Sequence, residues 1–543
     1  MQYVAYLFEL KSIQAYLMAG GKLRDMVNAS DLLEQLTQES GCLDEALNIA
    51  EIKINNDKNQ GPLINFSRRA GGAIYLVAEE SQSDKLEQFR LLWTLTVQQI
   101  LPDCEFVDCL TGADKNALLC VKKGKQQLFV QRSLFYPALP LSTPFTQIAP
   151  RTGTAAVASR DKEWLDKASL QKRSYQAAKS NLTAKFNDDE NISWPTSLEK
   201  GDFPYVGEEK DVAIVHIDGN GLGQVLILLS ELVKEEPDGY IQFYSTFSQQ
   251  LKRATEKAAQ KATNEVLLSE ANERGEKLLA ARPLVLGGDD LTLIIRADLA
   301  VSFSQVFIEA FEEYSSHIKK TLTKILKKHN KQSLNLIDHL PERLTSCAGI
   351  VFLKPSQPFM MGYELAESLC SNAKRVSKNI STTQIPSSMC WYQIQASVSE
   401  EFSTLLKNEL STPDKKQLTL GAYFLGEYQQ LATIDSKTAV CPMPRLDDLH
   451  QLVQFLRQKN NESISGKLRQ WSSLLLLDPN AADDFYQQME KGLREHNGGK
   501  TYSRLIDAQQ LLLNYQNEEL RWFNQLQQSP IVDLITLTSL EAR

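Results

Sequence analysis

The sequence predicts an α+β fold: two sheet-and-helix units joined by a polar connection and followed by a helical region. Three observations lead there. A strand, helix, hairpin order occurs twice, each time with paired glycines at the hairpin; the stretch between the two is polar; and helical periodicity with little strand signal fills the C-terminal quarter. The boundaries read as residues 1–140, 141–209, 210–395 and 396–543. A length of 543 residues suits such a division, since it corresponds to about three to four domains. With 42% hydrophobic and 23% charged residues the chain is ordinary globular material, which excludes a disordered or collagenous protein. Its 59 Lys and Arg against 67 Asp and Glu give a net charge of −8, so any nucleic-acid site must be a local patch.

Residues 3–10, YVAYLFEL, are apolar and aromatic and read as a buried strand, with a helical stretch from Ser12. Ile64–Phe66 and Gly72–Ala78 read as a strand pair, with Gly71 and Gly72 at a turn whose positive φ suits glycine. A helix from about Ser83 to Leu101 and a further strand pair, Glu105–Cys109 and Ala117–Val121, complete the first unit. From Pro140 to Glu209 the chain turns polar; Arg151, Lys162, Lys167, Lys172, Arg173, Lys179 and Lys185 could touch a phosphate backbone, but the segment reads as a solvated helix and linker. The second unit opens with the strand DVAIVHID (211–218), a helix starting in GNGLGQVL and an amphipathic stretch from Tyr240 to Leu279. Then come the hairpin RPLVLGGDDLTLIIRAD, a helix from about Leu299 to His329, a strand at 345–353 and a helix from about Phe359 to Lys378.

The strongest chemical signal is Gly287-Gly288-Asp289-Asp290, two carboxylates at the turn of an apolar hairpin. Acids beside hydrophobic sheet are costly unless they are paired or hold a cation, so a Mg²⁺ (or Mn²⁺) site is the simplest account. Strand alternation aims one of the two at a given point, and Asp289, beside the turn, ranks first. The second element is Asp218 at the end of its strand, followed by Gly219, Asn220, Gly221, Leu222 and Gly223 where a helix begins. Backbone N–H groups there can receive a triphosphate, and Gly287 and Gly288 join them as candidate nucleotide-binding positions. If the first strand lies beside the hairpin, Asp218 and Asp289 meet, the minimum equipment for two-metal phosphoryl transfer. Asp218, Ile217, Asp289 and Asp290 are therefore the candidate metal positions, and Asp218, Asp289 and Asp290 the candidate catalytic residues. His216 shares a strand face with Asp218 and reads as a hydrogen-bonded structural histidine; Ser346 reads as an ordinary strand hydroxyl.

Together, VAIVHIDGNGLG, LVLGGDDLTLII, TSCAGIVFL and AESLCSNAK resemble the cyclase/polymerase palm of GGDEF-type nucleotidyl cyclases and, more closely, the large subunit of type III CRISPR effector complexes. The N-terminal IQAYLMAGGKLRDMVNASDLLEQL and FSRRAGGAIYLV are similar to that subunit's first, metal-free palm, so the resemblance covers roughly residues 1–395. It implies two ferredoxin-like palm domains facing each other with a helical linker region and a C-terminal helical domain. Two ATP molecules would lie between the palms, with metal held only by the second. It further implies synthesis of a cyclic oligoadenylate messenger, with CRISPR RNA, target RNA and other effector-complex subunits as partners. Lys374 in AESLCSNAK matches the lysine that reaches the triphosphate in cyclases, and Arg375 is the weaker alternative. The competing readings are a catalytically silent scaffold and RNA-binding subunit, and a GGDEF-like cyclase using GTP.

The chain departs from relatives in two places. It starts directly at the first palm and has no His-Asp dipeptide, so DNA cleavage is not expected; and PRTGTAAVASRDKEW carries no cysteine where relatives hold zinc, so no zinc is expected. The eight cysteines form no C-x-x-C pair and read mostly as buried thiols of a reduced cytoplasm. Neither a basic leader nor a long apolar run occurs, so no membrane is expected among its partners.

Overall fold

The computed structural model describes residues 2–38, 40–52, 64–70, 72–134, 144–175, 181–207, 210–233, 240–329, 337–381, 384–395, 401–426, 443–495, 499–513 and 522–541. The first unit runs β1 (Tyr3–Leu10), α1 (Ile13–Met18), α2 (Leu23–Thr37), α3 (Cys42–Ile49), β2 (Ile64–Ala70), β3 (Ala73–Glu79), α4 (Ser83–Ile100), β4 (Phe106–Leu110) and α5 (Ala117–Arg132). Its sheet has the order β2-β3-β1-β4 and is antiparallel throughout. The expected strand at Ala117–Val121 is instead the start of α5. Asn116 caps it, its side chain accepting from the Leu119 N–H, and the apolar residues that follow recur at helical spacing onto the sheet.

The connection contains the hairpin β5 (Ala158–Arg160) and β6 (Glu163–Leu165), then α6 (Lys167–Ser174) and α7 (Asn181–Ala184). It is not the solvated linker the sequence suggests. Lys172 and Arg173 are buried. Arg173 makes a two-pronged pair with Asp25 of α2 and reaches Glu163 at 2.8 Å, and Lys22 meets the same Glu163 carboxylate at 2.8 Å. These charges fasten the connection to the first unit. Lys179 lies outside the described residues.

The second unit runs β7 (Val212–Gly219), α8 (Leu222–Leu232), α9 (Tyr240–Ala262), a π-helical turn (Thr263–Leu268), α10 (Ser269–Glu273), β8 (Ala281–Gly287), β9 (Asp290–Arg296), α11 (Ala300–His329), β10 (Ser346–Leu353), α12 (Phe359–Ile380) and β11 (Ser388–Gln393). After α13 (Phe402–Asn408) comes the two-residue β12 (Tyr423–Phe424). The sheet order is β12-β11-β10-β7-β9-β8, so β8-β9-β7-β10 repeats β2-β3-β1-β4 of the first unit, extended by β11 parallel to β10. Even the irregularities repeat. An extra residue, Ser67 in β2 and Leu284 in β8, bulges out three positions before the last residue of its strand.

The two units pack reciprocally, α9 against β2 and α2 against β8. One buried cluster joins Ala213, Val215 and Ile217 of β7 to α8, α9 and α11, and the other sheet face packs on α12. The C-terminal region is helical as expected, with α14 (Leu446–Leu456), α15 (Glu462–Leu477), α16 (Pro479–Glu495), α17 (Lys500–Leu513) and α18 (Ile531–Glu541). The region read as helical from residue 396 also supplies the edge strand β12. Buried Asp533 of α18 ties the two together, accepting from the Tyr423 hydroxyl at 2.7 Å and the Thr419 hydroxyl at 3.0 Å. Of the cysteines, Cys104, Cys109, Cys120, Cys347, Cys370 and Cys390 are buried free thiols, Cys42 is half-buried, and Cys441 lies outside the described residues. No described helix is long and apolar enough to cross a membrane.

Candidate active site

The site forms where β7 ends beside the hairpin of β8 and β9. Antiparallel pairing sets His216 opposite Thr292 and Ile217 opposite Leu291; one step further, the same register sets Asp218 against Asp290. Residues directly opposite share a sheet face. Ligand atoms of His216, Asp218 and Asp290 accordingly lie within 4.8 Å of one another, the one such group among the described residues. The side chain that joins Asp218 in this group is thus Asp290 rather than the higher-ranked Asp289. Asp289 sits in the two-residue turn with Gly288, whose φ of 63° favours glycine. Its carboxylate lies against Gly219, where an added Cβ would come 2.4 Å from Asp289 Oδ2. Gly219 therefore holds the space that lets Asp289 lie over the end of β7.

Electrostatics follow from this crowding. Burial and the neighbouring Asp218 push the Asp289 carboxyl up to about 6. Burial, Asp218 and Asp289 raise Asp290 well above the ordinary carboxylate range. Three acids in one half-buried corner disfavour full ionisation, which a divalent cation would relieve. The oxygen donors of Asp218 and Asp290 suit Mg²⁺ or Mn²⁺, whereas the imidazole nitrogen beside them is a softer donor that hard Mg²⁺ does not favour. Burial lowers His216 to about 4, so the ring is neutral and free of a competing proton. Its Nδ1 lies 3.1 Å from the Thr292 hydroxyl and its ring packs edge-on against Tyr363. Ile217 has only its main-chain carbonyl to offer, because its side chain is buried in the core.

Lys374 on α12 bonds the Asp218 carboxylate and donates to the Gly219 carbonyl at 2.8 Å. Burial opposes its charge, but Asp218 outweighs this and holds the ammonium above its usual range. Arg375 is exposed and turns to Asn372 instead. Gly221 takes the left-handed conformation at the start of α8, and Leu222 and Gly223 begin its first turn, whose N–H groups have no partner within the helix. Gly287 closes the hairpin opposite Asp290. Asn220 and Ser346 are buried beside this turn.

Two further residues reach the site without any local sequence signal. Arg68 of β2, from the first unit, is near enough to Asp289 to favour its charged form. Thr255 of α9 donates to the Gly288 carbonyl at 2.6 Å and so holds the turn. A cavity of about 210 Å³ lies between the two hairpins, with Gly72 and Arg69 on one side and Gly288, Asp290 and Lys252 on the other. In the first hairpin, Gly71 lies outside the described residues, and Gly72 and Ala73 stand where the second has Asp289 and Asp290.

Comparison with known proteins bears on the same region. Residues 211–382 match the family described as Cas10/Cmr2, second palm domain. The structure of Csm1 in T.onnurineus is similar over all of this chain and 69% of that one, at 11% identity and a TM-score of 0.52. A Csm1-Csm4 cassette in complex with cA4 is similar over 100% of this chain and 70% of that one, at 11% identity and a TM-score of 0.50. At such identity the likeness establishes the fold. No curated protein matches in sequence.

Proposed function

We propose, from the premise that this Cas10-like chain carries a Cas10/Cmr2 second palm domain within a Csm1-like fold, that it is a metal-dependent nucleotidyltransferase joining ATP into a cyclic oligoadenylate-type messenger. The observation that carries the proposal is the approach of the Asp218, Asp290 and His216 ligand atoms to within 4.8 Å of one another, with Asp289 over Gly219 and Lys374 bonded to Asp218. A retired palm kept only as scaffold has no need of three crowded acids whose charge disfavours the fold.

Asp218 and Asp290, with His216 beside them, would hold Mg²⁺ or Mn²⁺. When bound there, such a cation supplies charge neutralisation for a triphosphate and eases deprotonation of an attacking hydroxyl. The chain's own groups do the positioning. The first turn of α8 presents N–H donors to phosphate oxygens, and Lys374 is placed to exchange part of its contact with Asp218 for phosphate. Arg68 brings a positive charge from the first unit toward the cleft, so both units would face one nucleotide-filled space. The complex of the Csm1-Csm4 cassette with cA4 supports adenylate products and effector-complex partners for this chain; CRISPR RNA and target RNA as activating ligands rest on the sequence resemblance alone.

The test is incubation of the purified chain, alone and in its reconstituted complex with target RNA, with Mg²⁺ or Mn²⁺ and each labelled nucleoside triphosphate. An Asp289→Ala, Asp290→Ala variant runs beside it, and products are resolved by mass spectrometry. Oligoadenylate from the wild type alone is expected. Silence of the complex with target RNA present would sink the proposal in favour of a scaffold, and a product from GTP would replace the substrate.

A further inference from the structure

Lys374 owes its place to α12, and that helix is held from below and from the side. Below, it lies in backbone contact with β10: a Cβ added at Gly349 would stand 1.9 Å from the Ala366 carbonyl oxygen and 2.5 Å from the Cys370 nitrogen. So close a seat fixes the height of the helix, and the bonds at its flanks set its rotation. Successive residues of a helix turn by about 100°, so Asn372 and Lys374, two apart, leave α12 on nearly opposite sides. Lys374 reaches Asp218 and the Gly219 carbonyl at the end of β7. Asn372 turns to the β11 side, where its Nδ2 donates to the Gly421 carbonyl at 2.8 Å. Arg375 donates to Oδ1 of the same amide at 2.8 Å. A guanidinium only donates and a carbonyl only accepts, so the amide faces one way.

Gly421 is a coupling point. It lies just before β12 in the left-handed conformation, at a φ of 77°, and both its backbone polar groups are engaged. The carbonyl accepts from Asn372, while the N–H donates to the Thr419 hydroxyl at 3.0 Å, which itself donates to Asp533 of α18 at 3.0 Å. The same Asp533 oxygen accepts from the Leu420 N–H at 3.1 Å and from the Tyr423 hydroxyl at 2.7 Å. Asp533, Thr419 and Tyr423 are all buried, where a carboxylate is costly unless donors converge on it as they do here. The Ser529 and Val532 N–H groups add bonds to the Gln417 and Leu418 carbonyls, at 2.8 and 3.1 Å. A continuous line of hydrogen bonds thus runs from the C-terminal helix, through residues 419–421, to the flank of α12 opposite Lys374.

We propose that Asn372 and Asp533 are positioning residues for the nucleotidyltransferase site: α18, through Thr419 and Gly421, sets the rotation of α12 and with it the reach of Lys374 to Asp218 and to phosphate. The inference rests on the nucleotidyltransferase reading and gives the C-terminal helical region a part in it. Displacing α18 would loosen Lys374 without any contact at the site itself, which makes the helical region a place from which turnover is set.

Two measurements test this. The first is ATP turnover by the full chain in its reconstituted complex with target RNA. Asn372→Ala removes the flank bond without opening the core and is expected to lower kcat/KM about tenfold. Asp533→Ala should match it, and the double variant should lose no more than either single one, because both break the same line. The second is acylation of the full chain by acetic anhydride without nucleotide, read by peptide mass spectrometry. In Asn372→Ala, Lys374 freed from Asp218 and Gly219 is expected to label at least about threefold faster than in the wild type, relative to exposed Lys324. Lys374 labelling equal to the wild type overturns the inference, as does turnover unchanged by Asn372→Ala. So does an additive loss in the double variant, which would make the two residues independent supports. Should Asp533→Ala fail to fold, Asn372→Ala still decides by both measurements. If the wild-type complex makes no product, the nucleotidyltransferase reading falls, and the acylation result alone decides whether this line of bonds holds Lys374.

Discussion

The two sheet units share a framework down to single residues and differ where chemistry would occur. In the first, Glu9 lies opposite Ala73; in the second, the register continued one step past Ile217 and Leu291 sets Asp218 against Asp290. Each carboxylate meets a cation from the helix that follows its unit's last shared strand: Arg132 of α5 for Glu9, Lys374 of α12 for Asp218, each equally far into its helix. Glu9 also receives the Tyr75 hydroxyl, from the position that Thr292 occupies in the second unit. One acid is thus closed off by its neighbours, whereas the other faces two more acids. The proposed metal site would therefore be a matter of two residues at a hairpin turn, laid on a scaffold that both halves possess.

Removing the acids is the largest expected effect. Asp218→Asn or Asp290→Asn should lower ATP turnover on the order of a thousandfold, measured by product formation. Glu9→Gln, at the matching position, should change it less than about threefold. Equal losses in both halves would break the comparison and make the first unit part of the chemistry.

Ala73→Asp sharpens it from the other direction. The new carboxylate would lie opposite Glu9 at a buried position, at a cost of about 3 kcal/mol in urea unfolding without divalent cation. If turn residues alone distinguish the halves, millimolar Mn²⁺ should restore part of that stability in this variant. An unaffected melting curve would mean that Arg132 and Tyr75 keep Glu9 out of reach.

Much of this was legible in the sequence, for a physical reason. Paired acids at an apolar turn, and a carboxylate at a strand end before a glycine-rich helix start, are local patterns, so Asp218, Asp289, Asp290 and the glycines around them could be named. Lys374 needed the family resemblance. What depends on register was not visible: Asp290, rather than Asp289, groups with His216 and Asp218, while Asp289 sits in the turn against Gly219. Arg68 and Thr255 arrive from elements packed in space, which no spacing records. The misreading of Ala117–Val121 had the same root, since a short apolar run fits a strand or a helix until its length is known. It hid Arg132, and with it the correspondence between the halves.

A smaller effect is expected on pH. Burial and Asp218 push Asp289 up to about 6 from an ordinary value of 3.8, and Asp290 is raised as well. The folded state then binds more protons than the unfolded one between these values, so metal-free stability falls as pH rises from about 4 through 6. A smaller loss is expected for Asp289→Asn in that window, because burial and Asp218 still raise Asp290. Mn²⁺ must displace the same protons, so its affinity should weaken below pH 6. Titration calorimetry at pH 5 and 7.5 checks this, and equal affinity at both would mean that the cation does not contact these acids.

The smallest predicted effect concerns the turn itself. Thr255 is the contact by which α9, packed on the first unit's β2, holds the Gly288 carbonyl. Thr255→Val keeps the shape and removes one hydrogen bond, worth about 1 kcal/mol. If that bond keeps Asp289 and Asp290 in place, the loss should fall on kcat rather than KM, roughly fivefold, and Thr255→Ser should recover it. A valine variant as fast as the wild type would mean that the two-residue turn, with glycine at its positive φ, holds the acids unaided. The first unit would then be a wall of the cleft, with no hold on the second unit's chemistry.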